Sequence, residues 1–72
     1  MTVELTPEEK VGIINSHLKN AAFNKYNLEV SLIQENAKTI QDEFVISKIN
    51  TDLSETEMQI TALNEELQKF LS

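Results

Sequence analysis

The sequence predicts an all-α fold: an antiparallel two-helix hairpin of coiled-coil character, two copies of which assemble into a four-helix bundle. Three observations predict it. Ile46, Ile49, Leu53, Thr56, Ile60, Leu63, Leu67 and Phe70 recur at alternating spacings of three and four. That is an a/d heptad pattern, which lines its side chains along one narrow seam that another helix must cover. Upstream, Thr6-Pro7-Glu8-Glu9 is a strong helix-start signal. Between the two, around Asn36, the apolar period breaks and a second start signal follows.

The first helix is justified by its cap. Thr6 offers a hydroxyl to orphan amides, Pro7 has no amide to leave unpaired, and Glu9 three residues on completes a capping box. Glu8 and Glu9 also favour the positive end of the helix dipole. Leu5, just before the cap, is placed to staple against the stem of Lys10 or against Val11. From Pro7 to about Asn36 the chain has no further proline and a single glycine, Gly12. Val11, Ile14, Leu18, Ala21, Ala22, Leu28 and Leu32 fall on one side of this helix, with Tyr26 and Ile33 at its edge.

Lys25 and Glu29 interrupt that stripe, one turn apart. Either they snorkel outward and cover apolar neighbours with their stems, or they form a buried polar layer that fixes register. A second apolar patch lies to one side: Phe23 and Val30, sharing Tyr26 and Ile33 with the first. A face wider than a simple seam touches more than one neighbour.

The pattern ends at Asn36-Ala37, asparagine being a common substitute for glycine at a helix end, and Lys38 suits the negative terminus. Thr39 then opens a capping box with Asp42. This predicts a turn over 36–39 and a second helix from Ile40 to about Leu71. One continuous helix is the alternative, since no glycine or proline forces the turn. The two caps favour the hairpin, as does the break in the seam at Thr39 and Asp42.

A short loop makes the helices antiparallel neighbours. Folding at the predicted turn brings Leu32 near Phe44, Leu28 near Ile46 and Ile49, Ala21 near Leu53, Leu18 near Thr56, and Val11 near Leu63. Lys25 falls near Asp52 or Asn50. The hairpin interface is therefore expected at Ile46, Ile49, Leu53, Ile60, Leu63 and Leu67. Phe23, Val30, Ile40 and Phe44 are expected off the seams toward the turn, and such surplus apolar surface reads as an interface to a second copy. A homodimer is expected.

Composition limits the rest. Seventy-two residues make one small domain, residues 1–72, and chains of this size add disulfides, a metal or a partner subunit to be stable. With no cysteine and one histidine, His17, the partner route remains. Twelve acidic residues face six lysines and no arginine, so nucleic-acid binding is not expected. The acidity reads as solvated helix faces, or else as a decoy for a basic groove on another protein.

No apolar run exceeds three residues, as at Phe44-Val45-Ile46, so no membrane span is expected. Met1-Thr2-Val3-Glu4-Leu5 has neither the basic start nor the apolar core of a signal peptide, which points to a cytoplasmic protein. A di-iron bundle needs Glu-x-x-His, and the residue three before His17 is Ile14. No serine or threonine has a plausible base, and no glycine-rich loop occurs. Neither catalysis, nor a metal, nor a cofactor is expected.

Val3-Glu4-Leu5-Thr6-Pro7-Glu8-Glu9-Lys10 and Lys25-Tyr26-Asn27-Leu28-Glu29-Val30-Ser31-Leu32-Ile33 resemble small uncharacterised proteins of T4-like cyanophages and marine environmental sequences. The resemblance spans most of the chain and is strongest from Val3 to Ala37. It implies a capped helix, a turn at an Asn-Ala step and a second helix with isoleucine and leucine heptads. It departs at Thr39-Ile40, where the relatives have serine-proline, and at the extra aromatic Phe44. The implied setting is a phage-infected cell, and the resemblance implies no activity.

Two functions are expected from these readings. The first is a self-associating structural or accessory interaction factor. The alternative is an acidic module that occupies or inhibits a host protein, with a host or virion protein as the partner.

Overall fold

A computed structural model describes residues 3–71 and shows an all-α helical hairpin. Helix α1 runs Pro7–Asn36 and α2 runs Glu43–Leu71. At about 1.5 Å per residue each is about 45 Å long. Packed along their length, they make a rod of 59 × 19 × 19 Å.

α1 starts as the cap predicts. Thr6 is extended, its hydroxyl accepts the Glu9 N–H at 3.1 Å, and the Glu9 carboxylate accepts the Thr6 N–H at 2.9 Å. The helix end differs from expectation. No described residue takes a positive φ, so Asn36 does not act in place of glycine. Ala37 stays in the right-handed region, its N–H bonds to the Ile33 carbonyl at 3.1 Å, and the Lys38 N–H bonds to the Glu35 carbonyl at 3.3 Å. The last turn tightens, which satisfies carbonyls without a left-handed residue.

α2 begins at Glu43, not at Ile40. Its cap is Asp42, whose Oδ1 accepts the N–H groups of Phe44 at 3.0 Å and Val45 at 3.3 Å. The Asp42 carbonyl accepts the Ile46 N–H at 3.0 Å. The box opened by Thr39 does not form, because tertiary bonds hold the next residues against the end of α1. Gln41 donates from Nε2 to the Asn36 carbonyl at 2.9 Å, and the Asp42 N–H donates to the Glu35 carboxylate at 3.0 Å. Ile40 therefore belongs to the turn.

The longer turn shifts the pairing. Lys25 meets Glu57 across the helices at 3.7 Å, and not Asp52 or Asn50. Asp52 pairs within its own helix with Lys48 at 3.5 Å.

Mid-rod, Ala21 is buried at 7% exposure, the small residue that lets the two axes approach. Ala22 beside it is exposed. Ile49 is buried at 9%, and Ile46, Leu53, Ile60, Leu63 and Leu67 are half-buried along the seam. Thr56 fits there because its hydroxyl donates to the Asp52 carbonyl one turn back, at 2.9 Å. That bond leaves its methyl for the seam.

Candidate interaction surface

The residues expected at the interface separate into two groups. The six α2 seam residues face α1. Of the other four, Val30 is half-buried, while Phe23, Ile40 and Phe44 are solvent-exposed. Tyr26 and Ile33 join them, so five large apolar side chains on or near the turn half are 66–86% exposed.

These do not share one face. Phe23, Tyr26, Val30 and Ile33 follow one another at spacings of three, four and three, the same rhythm as the docked seam. At 3.6 residues per turn this row lies about 140° round α1 from the seam through Leu18, Ala21 and Leu32. α1 thus carries two heptad seams, one docked and one open. Phe44 instead shares a row with Thr51 and Met58, each seven residues on, along the side of α2 turned away from its seam.

Of the polar residues inside the α1 stripe, Lys25 is half-exposed and reaches Glu57, which agrees with the snorkelling reading, and Glu29 one turn on is half-buried. His17 is exposed. Glu35 was not singled out in the sequence, yet it is 5% exposed and closes the turn. Its carboxylate takes the Asp42 N–H and an ion pair with Lys38 Nζ at 2.7 Å. The Lys38 hydrogen bond, then the Asp42 N–H, hold its carboxyl below the usual glutamate range, and the same contact raises Lys38. Its position three after Leu32 continues the α1 seam, and that was the available signal.

Concave surface is slight. At the open end Leu5, Lys10, Ile13, Ile14, Glu66 and Phe70 line a notch of about 240 Å³. Leu5 and Lys10, one of the two staple pairs expected, are both in it. A wider depression of about 390 Å³ has all its walls on α2, at Ser54, Glu57, Met58, Thr61, Ala62 and Glu65. A single helix cannot enclose a substrate. Among the described residues no group of three or more His, Cys, Asp or Glu side chains converges to hold a metal ion. Among them, too, no helix is long and apolar enough to cross a membrane.

Compared with family models, curated proteins and solved structures, the chain matches none. Its functional reading therefore rests on its own geometry.

Proposed function

We propose that the protein is a self-associating helical hairpin that serves as a structural or accessory interaction factor. One observation carries this. Among the described residues only Ala21 and Ile49 are buried apolar residues, and no side chain is fully buried, while eleven large apolar residues face solvent, Phe23, Tyr26, Ile33, Ile40 and Phe44 on or near the turn half among them. A hairpin of this length with so thin a core does not offset its conformational entropy by itself, and pairing with a second copy adds the missing burial. The resemblance to cyanophage proteins makes an infected cell the proposed setting, with a virion or host protein as a further partner.

The acidic-module reading draws on α2. Between Lys48 and Lys69 it holds Asp52, Glu55, Glu57, Glu65 and Glu66 and no lysine. Three of those five already have lysine partners in the chain: Asp52 with Lys48, Glu57 with Lys25, and Glu66 with Lys69. Their field is partly neutralised before any basic partner arrives, so self-association is the better-supported reading.

Light scattering or sedimentation across micromolar concentrations tests the proposal. The expected result is a mass that rises to that of a dimer. A well-folded monomer at every concentration overturns it.

A further inference from the structure

We infer that the turn is a latched hinge: once unlatched, the chain straightens into one helix, and two straightened copies exchange halves, each α1 docking on the other copy's α2. This concerns the docked seam, so it goes beyond the association of folded hairpins proposed above.

Phase carries the inference. The seam positions of α1 from Val11 to Leu32, and those of α2 from Ile46 to Phe70, stand at alternating spacings of three and four and are half-buried or buried. Across the turn the same rhythm continues without a skip through Leu32, Glu35, Thr39, Asp42 and Ile46. Thr39 and Asp42 interrupt the seam in polarity and not in phase. A hairpin asks only that its two seams face each other. It sets no relation between their phases along a loop that is not helical, and a match arises by chance about one time in seven on a seven-residue repeat. In a single helix that match keeps both seams on one face, as an antiparallel partner needs.

The backbone presents no obstacle to straightening. Residues 36–42 contain no glycine or proline, and no described residue has a positive φ. Ala37 is right-handed, and its N–H already bonds the Ile33 carbonyl in helical fashion at 3.1 Å. The latch that holds the chain folded back is a small set of bonds. Glu35 accepts from the Lys38 ammonium at 2.7 Å and the Asp42 N–H at 3.0 Å, and the Asn36 carbonyl accepts from Gln41 Nε2 at 2.9 Å. Straightening replaces these, and the Asp42 cap, with main-chain helix bonds. The occupant of the exchanged seam is visible in the hairpin itself. α2 covers the α1 seam within one chain, and a second copy offers the identical surface. Because the exchanged pair remakes the hairpin's own contacts, the balance between the forms falls on the turn and on protein concentration.

Charge opposes the exchange and makes the hairpin the resting form. Lys25 meeting Glu57 sets the two-fold axis of the exchanged pair halfway between them, at Gln41. Thr39 then meets Asp42 of the other copy, and the two Asp42 carboxylates come within about a turn of each other. Within four residues of the axis each copy brings Asp42 and Glu43 against a single cation, Lys38. Removing negative charge from the turn therefore both loosens the latch and relieves the centre of the pair. A straightened chain is about 100 Å long from Pro7 to Leu71, against 59 Å for the folded rod.

Spin labels at Ser16→Cys and Asn64→Cys, both exposed in a chain with no cysteine, read the hinge. In the hairpin they stand near the same height on a rod 19 Å thick, and in a straightened chain they are about 70 Å apart. Labelled chain diluted in excess unlabelled chain reports only the distance within one molecule. The expected result is a short distance in dilute wild type, with a long population that grows with concentration. Glu35→Gln with Asp42→Asn, which keeps a capping side chain at the start of α2, should raise that population at least tenfold. Thr39→Ala with Ile40→Ala leaves the latch intact, favours helix at two exposed positions and should raise it too, while glycine at both should suppress it. Short distances alone in every variant that stays helical by circular dichroism overturn the hinge, as does a long population undiminished by the two glycines. A dimer by mass that shows only the short distance leaves the association of folded hairpins standing. A wild type that is monomeric throughout, beside a latch variant that forms a long-distance dimer, overturns that association and leaves the hinge.

Discussion

Glu35 is the residue on which the turn depends. It is nearly buried yet charged, and it is tolerated there because both of its charge-stabilising contacts come from the turn itself, the Lys38 ammonium and the Asp42 N–H. Its folded pKa is depressed, so the stability it contributes is present above the ordinary glutamate range and is lost as pH falls through the folded value. Glu9 has the same sign, from the Thr6 N–H first and the Thr6 hydroxyl second. Lys38 and Lys69 have the opposite sign, each raised chiefly by a hydrogen bond to Glu35 or Glu66, and their contribution is lost only in strong alkali. The melting temperature should therefore plateau near neutrality and fall in acid. Glu35→Ala should lower that plateau and make the acid limb shallower. An unchanged acid limb in the variant, measured by circular dichroism melts, would remove Glu35 from this account. The sequence held a hint of this residue in its seam position after Leu32. Nothing local distinguished it from a solvated acid, since its partner Asp42 lies beyond the helix.

At the scale of the helices, α1 and α2 hold each other through a seam in which, among the described residues, Ala21 and Ile49 are the only buried apolar ones. Ile49→Ala should cost about 2 kcal/mol, the low end for such truncations, because the rod can collapse around the gap. Leu53→Asp puts an unpaired charge into the seam and should cost several kcal/mol, enough to unfold a hairpin of this size. Chemical denaturation of the two variants against wild type checks both values. If Leu53→Asp melts like wild type, the seam does not hold the helices together. The heptads and the capping box at Thr6 were legible in advance because both are written in spacings of three and four residues. The start of α2 was not. Thr39 and Asp42 carry the local pattern of a capping box, but the bonds that Gln41 and Asp42 donate to Asn36 and Glu35 outweigh it and leave Asp42 itself as the cap.

For the whole molecule, a rod 19 Å thick has surface almost everywhere and interior almost nowhere. On the proposed self-association, the melting temperature should rise with protein concentration by mass action. Melts over a hundredfold concentration range test this. A constant midpoint would mean that the hairpin is stable alone and that its open seam serves something other than a second copy.

The sequence by itself determined that the chain is two amphipathic helices, that each has a seam, and that the first is capped by Thr6. Periodicity and caps are interactions between residues a turn apart, and they are fixed before the chain meets itself. Only the tertiary structure decided where α2 begins, that Lys25 meets Glu57, and which apolar residues were left outside. Those depend on contacts between Glu35 and Asp42, and between one helix face and the other, which exist only once the chain has folded back. Moving the start of a helix by a few residues re-pairs the whole rod, and no local pattern records that shift.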